Sequence, residues 1–234
     1  MKTVEKNYHA VCDLAESKGA EILFKHESLL MRTLDKVLFW LPKGSFMENY
    51  TTTIGANIYL AGSYSARSSP SSSETATITH ELVHVEQFQR LGLVTMSFMY
   101  LGPQSLAVLS LFALRALTGN LWFLLFLLCL GFLAPIPAPW RMMYEVEAYA
   151  TGFAAFHWVQ GQECPSLSRE EVNTRLSGYV GQFTGWSYYK MWPFKSAVEE
   201  RLHEKLQSLV AHDWKSLPIV AREVYEVTQL NKVD

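Results

Sequence analysis

The stretch from Ser71 to Leu91, SSSETATITHELVHVEQFQRL, decides how this chain is read. Ser71 and Glu74 have capping-box spacing: a serine hydroxyl accepts from the amide three residues on, and the carboxylate there returns a bond to the serine amide. A helix is therefore expected from near Ser72 through His80 and His84 towards Leu91. Positions i and i+4 share a helix face, so the imidazoles of His80 and His84 can reach one ion. Glu81 falls beside that face and can act on a water held by the ion without being a ligand. Those are the parts of metal-assisted hydrolysis. Zinc lowers the pKa of its water, and a carboxylate takes the proton and passes it to the leaving amine.

Such a zinc needs a third protein ligand from another element. The string Tyr144-Glu145-Val146-Glu147-Ala148-Tyr149 offers two carboxylates. Val146 and Glu147 point away from the face shared by Glu145, Ala148 and Tyr149, so only one of the two can serve. Glu145 is favoured on its spacing to Ala148, with Glu147 its rival.

His80-Glu81-x-x-His84 followed much later by Glu145-x-x-Ala148 resembles the gluzincin metallopeptidases, whose second motif is Glu-x-x-Ala-Asp. The likeness is closest to the minimal gluzincins and to membrane-bound peptidases of the CAAX-prenyl-endopeptidase kind, which also carry apolar segments between the motifs. It covers only the motifs, the strand before them and the apolar insert. The resemblance implies a zincin-like fold, a Zn2+ cofactor, His80, His84 and Glu145 as ligands, and Glu81 as catalytic base. Tyr149 departs from it, standing where the family has an Asp that orients a ligand histidine. Either another group orients the histidine here or the site is weakened.

The rest of the chain is consistent with one principal globular domain over 1–234. Of 234 residues, 49% are hydrophobic and 18% charged, too apolar for disorder. Twenty Lys+Arg against 22 Asp+Glu leave a net charge of -2, which gives no electrostatic footprint for nucleic acid. Cys12, Cys129 and Cys164 are odd in number and far apart, as expected of free packing thiols in a reducing compartment. The mixed charge of residues 1–7, with no apolar run after it, does not read as a secretory signal.

Apolar residues at three- and four-residue steps predict an amphipathic helix over Glu21–Leu41, stopped by Pro42 and Gly44. Phe46–Leu60 reads as one or two strands, a hairpin turning at Gly55-Ala56-Asn57. Ile58-Tyr59-Leu60 is the surer strand, with the character of an edge that could pair with an extended peptide. Gly62–Ser73 reads as a surface loop. After Pro139 helical spacing resumes, with further helices around Arg169–Phe183, Ser196–Val210 and Leu217–Leu230. His157, His203 and His212 lack metal spacing. The cluster Tyr179, Phe183, Trp186, Tyr188, Tyr189 and Trp192 reads first as core or membrane-interface material, and otherwise as an aromatic wall with an oxyanion-stabilising hydroxyl.

Between Arg90 and Arg141 the only charge is Arg115, and Leu121–Leu133 is apolar on every helical face. Gly102-Pro103 and Thr118-Gly119-Asn120 divide the stretch into legs of roughly fourteen residues, short of the ~20 needed to cross a bilayer. Both zinc motifs must meet at one ion, so the insert over 93–139 is expected to be a helical hairpin that leaves and returns on one side, crossing or dipping into a membrane. Arg90 and Arg141 flank it on the side of the site, which is therefore expected to face the cytoplasm.

The expected protein is mainly α with a small antiparallel sheet (α+β), plus that apolar hairpin between the motifs. Its expected activity is zinc-dependent cleavage of peptide or protein substrates at a membrane surface. Two rivals stay open: a membrane-anchored interaction protein with a vestigial site, and a non-peptidase zinc amidohydrolase.

Overall fold

The structure is a computed structural model that describes residues 2–37, 45–65, 70–133, 137–185 and 190–230. In chain order its elements begin α1 (Lys2–Ser17), β1 (Glu21–Phe24), a 3-10 turn (Lys25–Glu27), α2 (Leu29–Val37), α3 (Ser45–Asn49), β2 (Thr52–Ile54), β3 (Asn57–Leu60), α4 (Gly62–Ser65) and α5 (Ser72–Leu91). There follow α6 (Leu93–Leu101), 3-10 helices over Gly102–Thr118 and Leu121–Leu133, then α7 (Pro139–Trp158), α8 (Arg169–Arg175), α9 (Ser177–Thr184), α10 (Lys195–Val210) and α11 (Ile219–Leu230). The chain divides into two compact units. One comprises Met1–Gly92, Glu147–Leu167 and Glu204–Asp234, the other Leu93–Val146 and Ser168–His203.

In the first unit α5 starts where its cap requires: the Ser71 hydroxyl accepts from the Glu74 amide at 3.2 Å. Ile78, Leu82 and Val85, spaced i, i+4, i+7, form a fully buried stripe. Helix α5 packs against α1 and α11. The Glu86 carboxylate accepts from the amides of Ile219 and Val220 at 3.1 and 2.8 Å, satisfying orphan donors at the start of α11. Asn7 of α1 ties the unit to the end of α7 by donating to the Val159 carbonyl at 3.0 Å inside the core.

The sheet is mixed, not antiparallel as expected, with strand order β1-β3-β2. Strands β2 and β3 form the expected antiparallel hairpin (Thr53 opposite Ile58), turning at Gly55, whose φ of 64° a side chain would resist. Strand β1 adds parallel to β3 with Ile22 opposite Ile58. The helix expected over Glu21–Leu41 is therefore corrected. Its first residues are strand β1, helix begins only at Leu29, and 38–44 lie outside the described residues. Glu21–Phe24 is too short for periodicity to separate strand from helix, and its pairing partner lies 36 residues away. Because β3 is the central strand, its expected edge character is also corrected. The expected loop over 62–73 opens with α4, and 66–69 lie outside the described residues.

In the second unit a capping box starts α8, with Ser168 accepting from the Glu171 amide at 3.3 Å and Glu171 accepting from the Ser168 amide at 2.9 Å. The helix expected over Arg169–Phe183 is broken at Leu176 into α8 and α9. The apolar hairpin expected over 93–139 is not supported. Nine residues of α-helix lead into two 3-10 helices, and among the described residues no helix is long and apolar enough to cross a membrane. The 3-10 helices lie against one another, Phe112 and Phe126 with ring centroids 5.4 Å apart. Gly102-Pro103 and Thr118-Gly119-Asn120 cut the stretch where expected; residues 134–136 lie outside the described residues.

Candidate metal centre

Two helices build the site. On α5 the face i, i+4, i+7 carries His80, His84 and Gln87; on α7 the face at the same spacing carries Glu145, Tyr149 and Gly152. Gly152 makes the approach of the helices possible, since a Cβ there would stand 3.0 Å from the Ala76 carbonyl oxygen and 3.4 Å from His80 Cβ. Any larger residue would push the face of α7 off the turn that carries His80. One helical turn before Gly152, Tyr149 meets the His80 ring edge-on with centroids 4.5 Å apart, and His80 meets His84 the same way at 4.9 Å.

His80, His84 and Glu145 each offer a ligand atom, and these atoms lie within 4.8 Å of one another in a buried group. His84 and Glu145 are 5% and 1% exposed, while His80 keeps an intermediate exposure as a whole residue. Two imidazoles and a carboxylate converging out of water can hold a metal ion. Burying an unneutralised carboxylate beside apolar helices costs several kcal/mol unless a charge or strong donors answer it. A divalent cation fits that donor set, and the set has the composition of a catalytic zinc site. The structure thus brings together the three residues expected as ligands and places Glu81 outside them.

Glu81 is 7% exposed and faces the sheet, where the Thr53 hydroxyl donates to its Oε2 at 2.7 Å. Strand β2 therefore holds the carboxylate that the motif nominates as base. Beneath lies Lys25, fully buried, its Nζ donating to the Phe46 carbonyl at 2.9 Å and standing 3.5 Å from the Phe46 ring centroid. Burial pushes the Lys25 ammonium down to about 8 against the charges of Glu81 and Asp35, which hold it up.

Glu147, the rival ligand, faces elsewhere. It accepts from Lys205 Nζ at 2.9 Å and from Gln87 Nε2 at 3.3 Å, and Gln87 Oε1 sits 2.9 Å from His84 Nδ1. Glu145 Oε1 accepts instead from the Tyr100 hydroxyl, and the Arg141 guanidinium stands 4.8 Å over the Tyr100 ring. Thr53, Lys25, Gln87 and Tyr100 were not singled out in the sequence. Only Gln87 had a readable signal, its i+7 spacing from His80. Tyr100 sits 45 residues from its partner in an apolar run, and Thr53 and Lys25 join the site only through the sheet.

His157, Nδ1 to Gln162 Oε1 at 3.3 Å, and His212, tilted against the rings of Trp214 and Tyr225, stay outside the metal group, as does His203. The three cysteines are free, and burial pushes the Cys164 thiol up to about 12. Of the aromatic cluster, Trp186, Tyr188 and Tyr189 lie outside the described residues. Compared with models of known protein families, with curated proteins and with solved structures, the chain matches none.

Proposed function

We propose that the chain is a zinc-dependent endopeptidase of the gluzincin type. The observation that carries the reading is the convergence of His80, His84 and Glu145 within 4.8 Å, with Glu81 one residue along the same helix and held by a strand. A zinc held there would lower the pKa of a water and polarise the scissile carbonyl. Glu81 takes the proton of the attacking water on its carboxylate and delivers it to the departing amine nitrogen. The Thr53 hydroxyl keeps one Glu81 oxygen turned to the sheet, which limits the rotation of the carboxylate. Strand β2, an outer strand, supplies main-chain groups that an extended peptide can pair with, and this places the substrate backbone beside Thr53.

The second unit gives the enzyme its location. Leu117, Trp122 and Leu128 are 88%, 78% and 77% exposed on the paired 3-10 helices, with Leu111, Leu114 and Leu121 exposed around them. An apolar surface of this kind marks a contact with a partner or a membrane. A lipid surface suits it because Arg115, the one charge of the stretch, has a long stem that reaches headgroups while leucines enter the acyl region. The substrates are accordingly peptides or protein segments close to a membrane, cut on its cytoplasmic side.

The test is turnover of a peptide library by zinc-loaded protein beside Glu81→Gln. The variant should keep its metal and lose roughly 10²- to 10⁴-fold in rate, the worth of a positioned general base. Equal turnover by parent and variant would remove Glu81 from the chemistry.

A further inference from the structure

Glu147 is not a ligand, yet it ends a hydrogen-bonded chain that reaches one. We propose that Gln87, held by Glu147 and Lys205, is a positioning residue that fixes the tautomer of His84, doing the work for which the gluzincin pattern uses an aspartate at the position of Tyr149. The inference rests on the metal reading above and deepens it.

Lys205 Nζ donates to Glu147 Oε1 and to the Ser216 carbonyl, both at 2.9 Å, so an ammonium with two fixed acceptors holds the Glu147 carboxylate in place. A carboxylate paired with an ammonium only accepts, so the Gln87 atom 3.3 Å from Glu147 Oε2 must be the amide nitrogen. That settles which way the amide points and turns Oε1 to His84 Nδ1 at 2.9 Å. A carbonyl oxygen cannot donate, so Nδ1 carries the proton and Nε2 holds the lone pair. Nε2 is thereby the nitrogen prepared to bind a cation. Unconstrained histidine in water favours the opposite tautomer, so the chain does work that neither motif nor helix does.

Gln87 is 2% exposed and cannot trade this bond for water. Glu147 and Lys205 keep about a quarter of their side-chain surface, 23% and 26%, so the outer end can be altered without opening the core. The chain also accounts for both acidic residues of the second motif string. Glu145 faces the metal group, and Glu147, two residues on and pointing away, orients a ligand from behind.

The test reads the tautomer first and the metal second. Metal-free protein labelled with nitrogen-15 at histidine shows, in long-range proton–nitrogen correlation spectra, which ring nitrogen of His84 is protonated; zinc affinity is then measured by competition with a chromophoric chelator. The parent should show protonated Nδ1. Gln87→Leu should shift His84 towards the Nε2-protonated form and weaken zinc by 10- to 100-fold. Glu147→Leu should move both readouts in the same direction by less, and so should Glu147→Gln, because Lys205 claims its amide oxygen and leaves the amide nitrogen facing Gln87 as a donor. His84→Ala separates the two levels of the argument. A parent that binds no zinc, or binds it as well without His84, overturns the metal reading and the positioning role with it. Loss of zinc with His84→Ala but not with Gln87→Leu, or an unchanged tautomer in both Gln87→Leu and Glu147→Leu, overturns the positioning role alone.

Discussion

Helix α5 and the pair of 3-10 helices over 102–133 are inverted in opposite senses. Helix α5 buries Glu74, Thr75, Thr79, Glu81, His84 and Gln87, groups that water would keep outside. The 3-10 pair exposes Leu111, Phe112, Leu114, Leu117, Leu121, Trp122 and Leu128, groups that water would drive inside. In α5 these groups are answered within the chain, the Thr79 hydroxyl excepted: Tyr8 donates to Glu74 at 3.5 Å, Thr53 to Glu81 at 2.7 Å, and Gln87 joins His84 to Glu147. On the 3-10 pair the leucines present their surface outward. Buried polar groups persist only with fixed partners, which is what gives a metal ligand a set orientation, and a contiguous exposed apolar surface marks a place where something else can bind.

The contrast breaks most visibly at the apolar end. Replacing Leu117, Trp122 and Leu128 together by Ser removes roughly 1.5–3 kcal/mol of transferable apolar surface per side chain, so partition onto anionic vesicles should fall at least about a hundredfold. Zinc affinity should stay at the parental value. Undiminished sedimentation with vesicles would remove the lipid surface as partner.

Lys25 sharpens the buried end. Its unfolded form titrates at 10.5 and its folded form at about 8. Below pH 8 both states hold the proton and the folded state bears the full cost of burying the charge. Between pH 8 and 10.5 the folded state has released the proton while the unfolded state keeps it, so stability rises with pH, by on the order of 3 kcal/mol in all. Burial also raises the thiols of Cys12 and Cys164, which titrate in the same range with the opposite sign. The quantity to follow in denaturant titrations is therefore the difference between parent and Lys25→Met. The parent's stability minus that of Lys25→Met should rise across that window, and a flat difference would show that Lys25 is solvated when charged.

Gly152→Ala should cost about 1–3 kcal/mol as overpacking between α7 and α5. Because the strain falls on the turn carrying His80, zinc affinity should drop as well, which calorimetric unfolding and chelator competition read separately. Of similar size, but confined to turnover, is the effect of Thr53→Val, which keeps shape and removes the donor to Glu81. A hydrogen bond to a charged group is worth about 1.5–3 kcal/mol, so kcat should fall roughly tenfold or more with zinc affinity unchanged.

What was legible in the sequence follows the same division. Helix α5, its cap at Ser71 and its start at Ser72 were readable because cap, periodicity and motif are all local. The faces of Glu145 and Glu147 were separable by helical geometry alone. Strand β1 was not readable, because Glu21–Phe24 takes its identity from pairing with Asn57–Leu60. The roles of Thr53, Lys25 and Tyr100 depend on where sheet and helices bring distant residues, and spacing carries no trace of that. The apolar stretch showed its composition and its breaks but not its 3-10 winding.

Everything above turns on whether His80, His84 and Glu145 hold one metal ion. Metal content by mass spectrometry on detergent-purified protein, parent beside His80→Ala and Glu145→Ala, tests it directly. About one zinc per chain is expected in the parent, with most of it lost in both variants. A parent that stays metal-free after zinc is supplied, or a Glu145→Ala protein that retains the parental amount, would contradict it.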